Sequence, residues 1–94
     1  MQPLYHEYMD VQGDFISYED FNKNFRLKRP ASFNFAYDVV DRLGREDPER
    51  PALLWTDPEG DVVRYDFRRM MLDSTRAANY FKSIGVKKGD AVML

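Results

Sequence analysis

The chain has 94 residues, of which 44% are hydrophobic, 15% aromatic and 32% charged, with a formal net charge of −2 and no cysteine. That length allows one domain at most, near the lower end of chains that bury a self-sufficient core, and the composition is that of a folded polypeptide with a charged surface. The charge balance excludes an overall electrostatic pull toward nucleic acid or an anionic membrane, and the lack of thiols excludes disulfides, thiolate catalysis and zinc–thiolate sites.

The opening MQPLYHEYMD has neither the basic segment nor the apolar run of a secretory signal, and no stretch approaches the roughly 20 apolar residues of a membrane span. A cytoplasmic chain with neither nucleic-acid nor membrane partners is expected. Residues 1 to 16 interleave aromatic and acidic side chains, and Gly13 interrupts any period; a short helix is expected near 3 to 11. Next, Ser17 has the chemistry of a helix N-cap, and Asp20 approximates the acidic end of a capping box. A helix over about 17 to 26 follows, with Tyr18, Phe21 and Phe25 along one face and Pro30 disfavouring helix at Arg29. RLKRPAS, residues 26 to 32, reads as a linker.

In SFNFAYDVVDRLGRED, residues 32 to 47, Phe33, Ala36, Tyr37, Val40 and Leu43 recur at intervals of three and four, the pattern of a core-facing helix capped by Ser32 or Asn34. Gly44 either ends this helix or is tolerated in its last turn, and Pro48 and Pro51 stop it. ALLWTD is a strand with Leu53 and Trp55 on one face and Ala52 and Leu54 on the other, so both faces are expected to be covered. Asp57-Pro58-Glu59-Gly60 fits a type I turn, and DVVRYD returns as a second strand, making 52 to 65 a hairpin. From the N-cap Asp66 a long helix runs to about Ser83, with Met70, Ser74, Ala77, Ala78, Phe81 and Ile84 as its apolar face and Gly85 as left-handed C-cap. VKKGD then turns, and Ala91 begins a strand that is expected to join a larger sheet. A strand of four residues with no later strand to pair with is short of the usual five or six, so truncation is the expectation.

Chemistry-bearing residues are sparse. His6, the single histidine, has only the carboxylates Glu7 and Asp10 near it and reads as a surface residue. Glu19-Asp20, Glu46-Asp47-Glu49 and Asp57-Glu59-Asp61 fall at a helix start, a helix end and a turn, where capping and solvation account for them better than acid–base catalysis. Arg64, Arg68, Arg69, Arg76, Lys82, Lys87 and Lys88 put positive charge around the long helix, read as a solvated face with Asp73 offsetting Arg69. Gly85 and Gly89 frame a turn, because a phosphate-cradling loop needs Lys and Ser or Thr opening a helix, whereas here Gly-Asp leads into a strand. Tyr5, Tyr8, Phe15, Tyr18, Phe21 and Phe25 lack interleaved basic residues, so they are read as packing and not as a platform for bases. Spacing alone assigns no catalytic, cofactor-binding or metal-binding residue. A free-standing interaction module using the exposed face of the long helix is the alternative that this reading leaves open.

One pattern goes further. RYDFRRMMLDSTRAANYFKSIGVKKGDAVML resembles the N-terminal region of the adenylate-forming enzymes, the AMP-dependent synthetases and ligases. The likeness falls on Phe67, Ser74, Arg76, Ala78, Asn79, Phe81, Gly85, Val86, Lys87, Lys88, Gly89, Asp90 and Val92. Upstream, RPASFNFAYDVVDRLGREDPERPALLW is similar to the branch nearest the medium-chain and acetyl-CoA synthetases, and SYEDFNKNFRL to a short aromatic helix preceding it; together they cover roughly 17 to 94. The departures are Asp66 for the usual Thr or Ser cap, Asp73 where an apolar residue is common, and Ala91 in a place often held by Arg or Lys. The resemblance implies an α+β fragment in two parts: a helical extension over 1 to 31, then the start of the large N-terminal domain over 32 to 94. That second part would hold a β-hairpin, a long helix and the first strand of a larger α/β domain of the adenylate-forming fold. It also implies ATP, magnesium and coenzyme A for the parent enzyme. The phosphate loop, ribose-binding Asp and C-terminal Lys of the family have no counterpart here, so the segment is expected to be inactive scaffold. Its partner would be the remainder of its own polypeptide, and in isolation it would expose apolar surface or self-associate through its last strand.

Overall fold

The computed structural model describes residues 3–10 and 13–94, which form two compact units, one ending at Phe33 and the other spanning Asn34–Leu94.

The first unit begins with a 3₁₀ turn, Leu4–Glu7, and a two-residue strand β1, Met9–Asp10. The helix expected near 3 to 11 is thus a single tight turn, while residue 11 of that span lies outside the described residues. Helix α1, Tyr18–Asn24, starts where Ser17 Oγ accepts the Asp20 N–H at 3.1 Å. The Asp20 carboxylate reaches back one residue beyond the cap and accepts the Ile16 N–H at 3.0 Å, a variant of the capping box. The helix is shorter than the span of 17 to 26. Phe25 turns out of it, and Arg26–Leu27 form strand β2, antiparallel to β1 with Met9 opposite Leu27 and Asp10 opposite Arg26. Phe15 packs edge-on to Phe21 and Phe25, whose own rings stack at 4.8 Å. Tyr18, expected on the same face, is 76% exposed.

In the second unit the helix over 32 to 47 is capped by Asn34, whose Oδ1 accepts the Ala36 and Tyr37 N–H groups at 3.0 and 3.3 Å. Its body is not uniform: Ala36–Asp41 is π-helical and runs directly into α2, Arg42–Glu46. Spacing of three and four does not distinguish the two, since the wider π turn shifts each side chain only slightly. Leu43 is the one buried hydrophobic side chain among the described residues, at 4% exposure, and Gly44 beside it is also buried.

Strand β3, Pro51–Thr56, pairs antiparallel with β4, Val62–Asp66. At the turn, the Gly60 N–H bonds to the Asp57 carbonyl at 3.1 Å, Asp57 Oδ1 accepts the Asp61 N–H at 2.8 Å, and Gly60 takes a positive φ of 92°. Leu53 faces Tyr65 and Trp55 faces Val63 on one side of the hairpin; Leu54 faces Arg64 and Thr56 faces Val62 on the other. Both sides stay partly open: Leu53, Leu54, Trp55 and Val62 are each 49–56% exposed, while Val63 and Tyr65 are half-buried.

Helix α3, Phe67–Ser83, opens with every early N–H engaged. Phe67 N donates to the Arg50 carbonyl, Arg68 N to the Pro48 carbonyl, each at 3.1 Å, and Arg69 N to Asp66 Oδ1 at 2.8 Å. The helix ends in a Schellman motif, with Val86 N bonded to Phe81 O, Gly85 N to Lys82 O, and Gly85 at φ 91°. Its packed face is the expected one only in part: Met70 and Phe81 are half-buried and Ser74 and Ala78 border the π-helical segment, while Ala77 and Ile84 are exposed. Phe67 and Met71, outside the expected set, meet α2 at Gly44. Beyond the helix, Lys87 and Asp90 close a turn with Gly89 at φ 95°, and residues 91–94 form no strand. Four residues are short for a strand, and among the described residues the segment has no ladder partner. Among the described residues the architecture is α+β: three α-helices and two separate two-stranded sheets.

Candidate functional site

Each cluster singled out by sequence has a local structural role. His6 stacks on the Tyr5 ring at 4.4 Å and is exposed. The aromatic residues of the first unit divide into three small groups, Tyr5 with His6, Tyr8 with Phe33 at 5.2 Å, and the Phe15–Phe21–Phe25 trio, so they form no single stacking platform.

The aspartates share one job. Asp20, Asp38, Asp57, Asp66 and Asp90 each accept a backbone N–H of their own turn: from Ile16, Asn34, Asp61, Arg69 and Lys87 respectively, at 2.7 to 3.0 Å. Carboxylates oriented this way close turns and cap helices instead of converging on a common point. Among the described residues no three His, Cys, Asp or Glu side chains come together as a metal site.

The basic face of α3 is similarly internal. Asp73 bridges Arg69 Nε at 3.3 Å and Arg76 Nη1 at 3.5 Å, while the Arg69 guanidinium lies 4.5 Å from the centre of the Tyr65 ring. Arg68, Arg69 and Arg76 edge a shallow hollow with Asp66, Leu72 and Asp73, in which the carboxylates offset part of the positive charge. The N-terminus of α3 presents no free donor toward it, because Arg50, Pro48 and Asp66 take the first three N–H groups.

Two further concave surfaces lie in the second unit. One, about 270 Å³, runs between the π-helical segment and α3 and is lined by small and polar residues including Asn34, Asp41, Ser74, Thr75 and Asn79. The other, about 380 Å³, lies along the hairpin between Pro51, Leu53, Leu54, Arg64 and Tyr65. The apolar surface of the hairpin, and not a polar constellation, is the feature that the fold leaves open. Sequence reasoning expected both hairpin faces to be covered; within the second unit Leu53, Leu54, Trp55 and Val62 stay about half exposed while Val63 and Tyr65 are half-buried. No helix among the described residues is long and apolar enough to cross a membrane.

No protein-family model matches the chain. Its relatives are acyl-coenzyme A synthetases: by homology the chain belongs with them and corresponds to a small part of such an enzyme. It is 31% identical over 101 residues to mouse (Mus musculus) "Acyl-coenzyme A synthetase ACSM3, mitochondrial", an alignment that takes in 100% of this chain and 17% of that protein. Human (Homo sapiens) "Acyl-coenzyme A synthetase ACSM4, mitochondrial" is 36% identical over 83 residues, 80% of this chain and 14% of its own length. The "Acetyl-coenzyme A synthetase" of Campylobacter jejuni is 35% identical over 64 residues, 68% of this chain and 10% of its own. The chain thus spans between 10% and 17% of these relatives.

Proposed function

We propose that this chain serves as a scaffold segment of an AMP-forming acid–CoA ligase with the adenylate-forming fold. Such an enzyme activates a carboxylic acid with ATP to an acyl-adenylate and pyrophosphate, then passes the acyl group to coenzyme A with release of AMP. The observation that carries the reading is identity of 31% along the entire chain to an acyl-coenzyme A synthetase. Coarser support comes from the fold, whose hairpin and long helix carry the residues of the resemblance while its aspartates close turns.

The segment supplies walls and no chemistry. ATP, magnesium and coenzyme A belong to the parent enzyme, where the nucleotide and thiol provide the activating and accepting groups. This chain's residues order the hairpin and set α3 against the preceding helix. Its partner is the remainder of a synthetase polypeptide, and it engages neither nucleic acid nor membrane. We place it in the cytoplasm; the mitochondrion, named for the ACSM3 and ACSM4 relatives, is the outcome that fractionation of tagged protein distinguishes.

The test is AMP and thioester release from short- and medium-chain acids with ATP, magnesium and coenzyme A. The 94-residue chain alone is expected to release neither, and a synthetase carrying it in place of its own matching stretch is expected to release both. Turnover by the isolated chain would overturn the reading.

A further inference from the structure

The chain has six serine and threonine hydroxyls, and five of them belong to regular structure. Ser17 Oγ accepts the Asp20 N–H as cap of α1. Ser74 and Thr75 donate to the Met71 carbonyl at 3.0 and 2.9 Å, and Ser83 donates to the Tyr80 carbonyl at 2.6 Å. Thr56 lies in β3, opposite Val62. Ser32 stands apart from these. It is exposed, it falls outside every helix and strand, and among the described residues its hydroxyl has no hydrogen-bond partner.

The backbone around Ser32 is equally unengaged. The Lys28 N–H bonds to the Tyr8 carbonyl at 2.8 Å, and the next engaged N–H is that of Asn34, which donates to Asp38 Oδ2 at 2.7 Å. Between these anchors no group of Arg29, Pro30, Ala31 or Ser32 is hydrogen-bonded or ion-paired among the described residues, and all four side chains are exposed. Such a stretch can be drawn straight without breaking a hydrogen bond, as a protein kinase requires of the residues it lays across its cleft.

The flanking charges supply recognition. Arg29 lies three residues before Ser32 and Lys28 four before it, with Phe33 directly after. A kinase that sets acidic side chains opposite the third residue upstream holds an arginine there bidentately, and charge patterns of this kind separate one hydroxyl from another. The residues three before the other five hydroxyls are Asp14, Leu53, Met71, Leu72 and Tyr80, none of them basic.

We propose that Ser32 is a phosphorylation site for a serine kinase that selects arginine three residues upstream. Ser32 Oγ attacks the γ-phosphorus of ATP, and the new O–P bond forms as the bond to the β,γ-bridging oxygen breaks. ADP leaves, and the hydroxyl proton passes to the catalytic carboxylate of the kinase. The phosphate adds about −1.5 to −2 charges next to Arg26, Lys28 and Arg29, whose summed charge of +3 falls to about +1. Asn34 already holds the Ala36 and Tyr37 N–H groups, so the phosphate pairs with these cations and ties down the segment without lengthening the helix. The inference does not depend on the synthetase reading.

The experiment incubates the 94-residue chain with the catalytic subunit of cyclic-AMP-dependent protein kinase, magnesium and radiolabelled ATP. A single phosphate is expected, placed on Ser32 by tandem mass spectrometry and lost in Ser32→Ala. Arg29→Gln is expected to lower kcat/KM roughly 10- to 100-fold, the effect of removing a bidentate charge-assisted pair. A peptide of residues 26–36 is phosphorylated alongside, and the chain is expected to match its rate within roughly 10-fold, since the segment has no hydrogen bonds to break. A chain slower than that overturns the proposal, because its segment is then held closed. Phosphate on another hydroxyl in place of Ser32, or an Arg29→Gln chain phosphorylated as fast as the parent, also overturns it. The same two substitutions in the peptide give the comparison without a fold to lose. In protein recovered from its native cells, Ser32 is expected to carry phosphate in growth or in starvation; Ser32 bare in both overturns its use by the cell.

Discussion

Gly44 and Met71 meet so closely that a Cβ on Gly44 would lie 2.8 Å from the Met71 Cβ, with the Phe67 carbonyl oxygen at 3.0 Å behind it. Glycine at this position admits α3 to the surface of α2, next to the buried Leu43.

Gly44→Ala therefore pits two effects against each other. Alanine gains up to about 1 kcal/mol of helix propensity, and the overlap with neighbouring atoms costs about 1–3 kcal/mol. Met71 Sδ can swing away, but Met71 Cβ and the Phe67 carbonyl are fixed to the backbone, so the overlap prevails. A net loss of about 1 kcal/mol or more is expected in urea unfolding followed by the fluorescence of Trp55, the chain's one tryptophan. A Gly44→Ala chain as stable as the parent would show that the helices separate freely.

What was legible in the sequence is what is local. Asp66, Gly60 and Gly85 sit at a cap, a turn and a helix end, and each acts through atoms within a few residues of itself. Less local features escaped. Pairing of Met9 with Leu27 joins two-residue strands across a helix, and nothing in MQPLYHEYMD or RLKRPAS announces it. Phe67 and Met71 were passed over because α3 carries apolar residues on more than one face, and the position of Gly44 is what marks these two as contacts. The π turn over Ala36–Asp41 is invisible to a count of threes and fours. For the candidate site, the turn residues were read as structural and the aspartate hydrogen bonds show how. Apolar residues on both sides of the hairpin strands say that a cover is needed and not what supplies it.

Asp73 looks more consequential than it is. It reaches both Arg69 and Arg76, yet its side chain is 42% exposed and its partners 55% and 80%. Pairs so open to water are screened by salt and contribute about 0.2–1 kcal/mol. Asp73→Asn is expected to lower stability by about 0.5 kcal/mol at low ionic strength and by less in 1 M salt. A loss above about 2 kcal/mol that persists in salt would reveal a role beyond the ion pair.

Gly85→Ala isolates backbone strain, because nothing lies within 4 Å of a Cβ added there while φ is 91°. The left-handed conformation costs a residue with a Cβ about 1–2 kcal/mol. The C-terminal turn of α3 is expected to fray, with faster amide exchange at Gly85 and Val86, whose N–H groups hold the Lys82 and Phe81 carbonyls. Exchange at Arg69, at the far end, is expected to be unchanged. Uniform acceleration along α3 would mean that the helix opens as one unit.

Asp66 caps α3 in company, and that limits what its loss can do. The Phe67 and Arg68 N–H groups donate to the Arg50 and Pro48 carbonyls, so the Asp66 carboxylate alone serves only the Arg69 N–H. Asp66→Ala is expected to cost about 1 kcal/mol, the ordinary effect of removing an N-cap side chain. Asp66→Asn keeps the acceptor oxygen and loses only the attraction of a negative charge for the helix N-terminus, about 0.3–1 kcal/mol. Thermal melting of the three chains should therefore rank parent, Asn, Ala. If Ala instead unfolds the helix altogether, the loop over Pro48–Arg50 does not hold its two bonds without Asp66, and the cap is a cooperative unit of three acceptors instead of three separate ones.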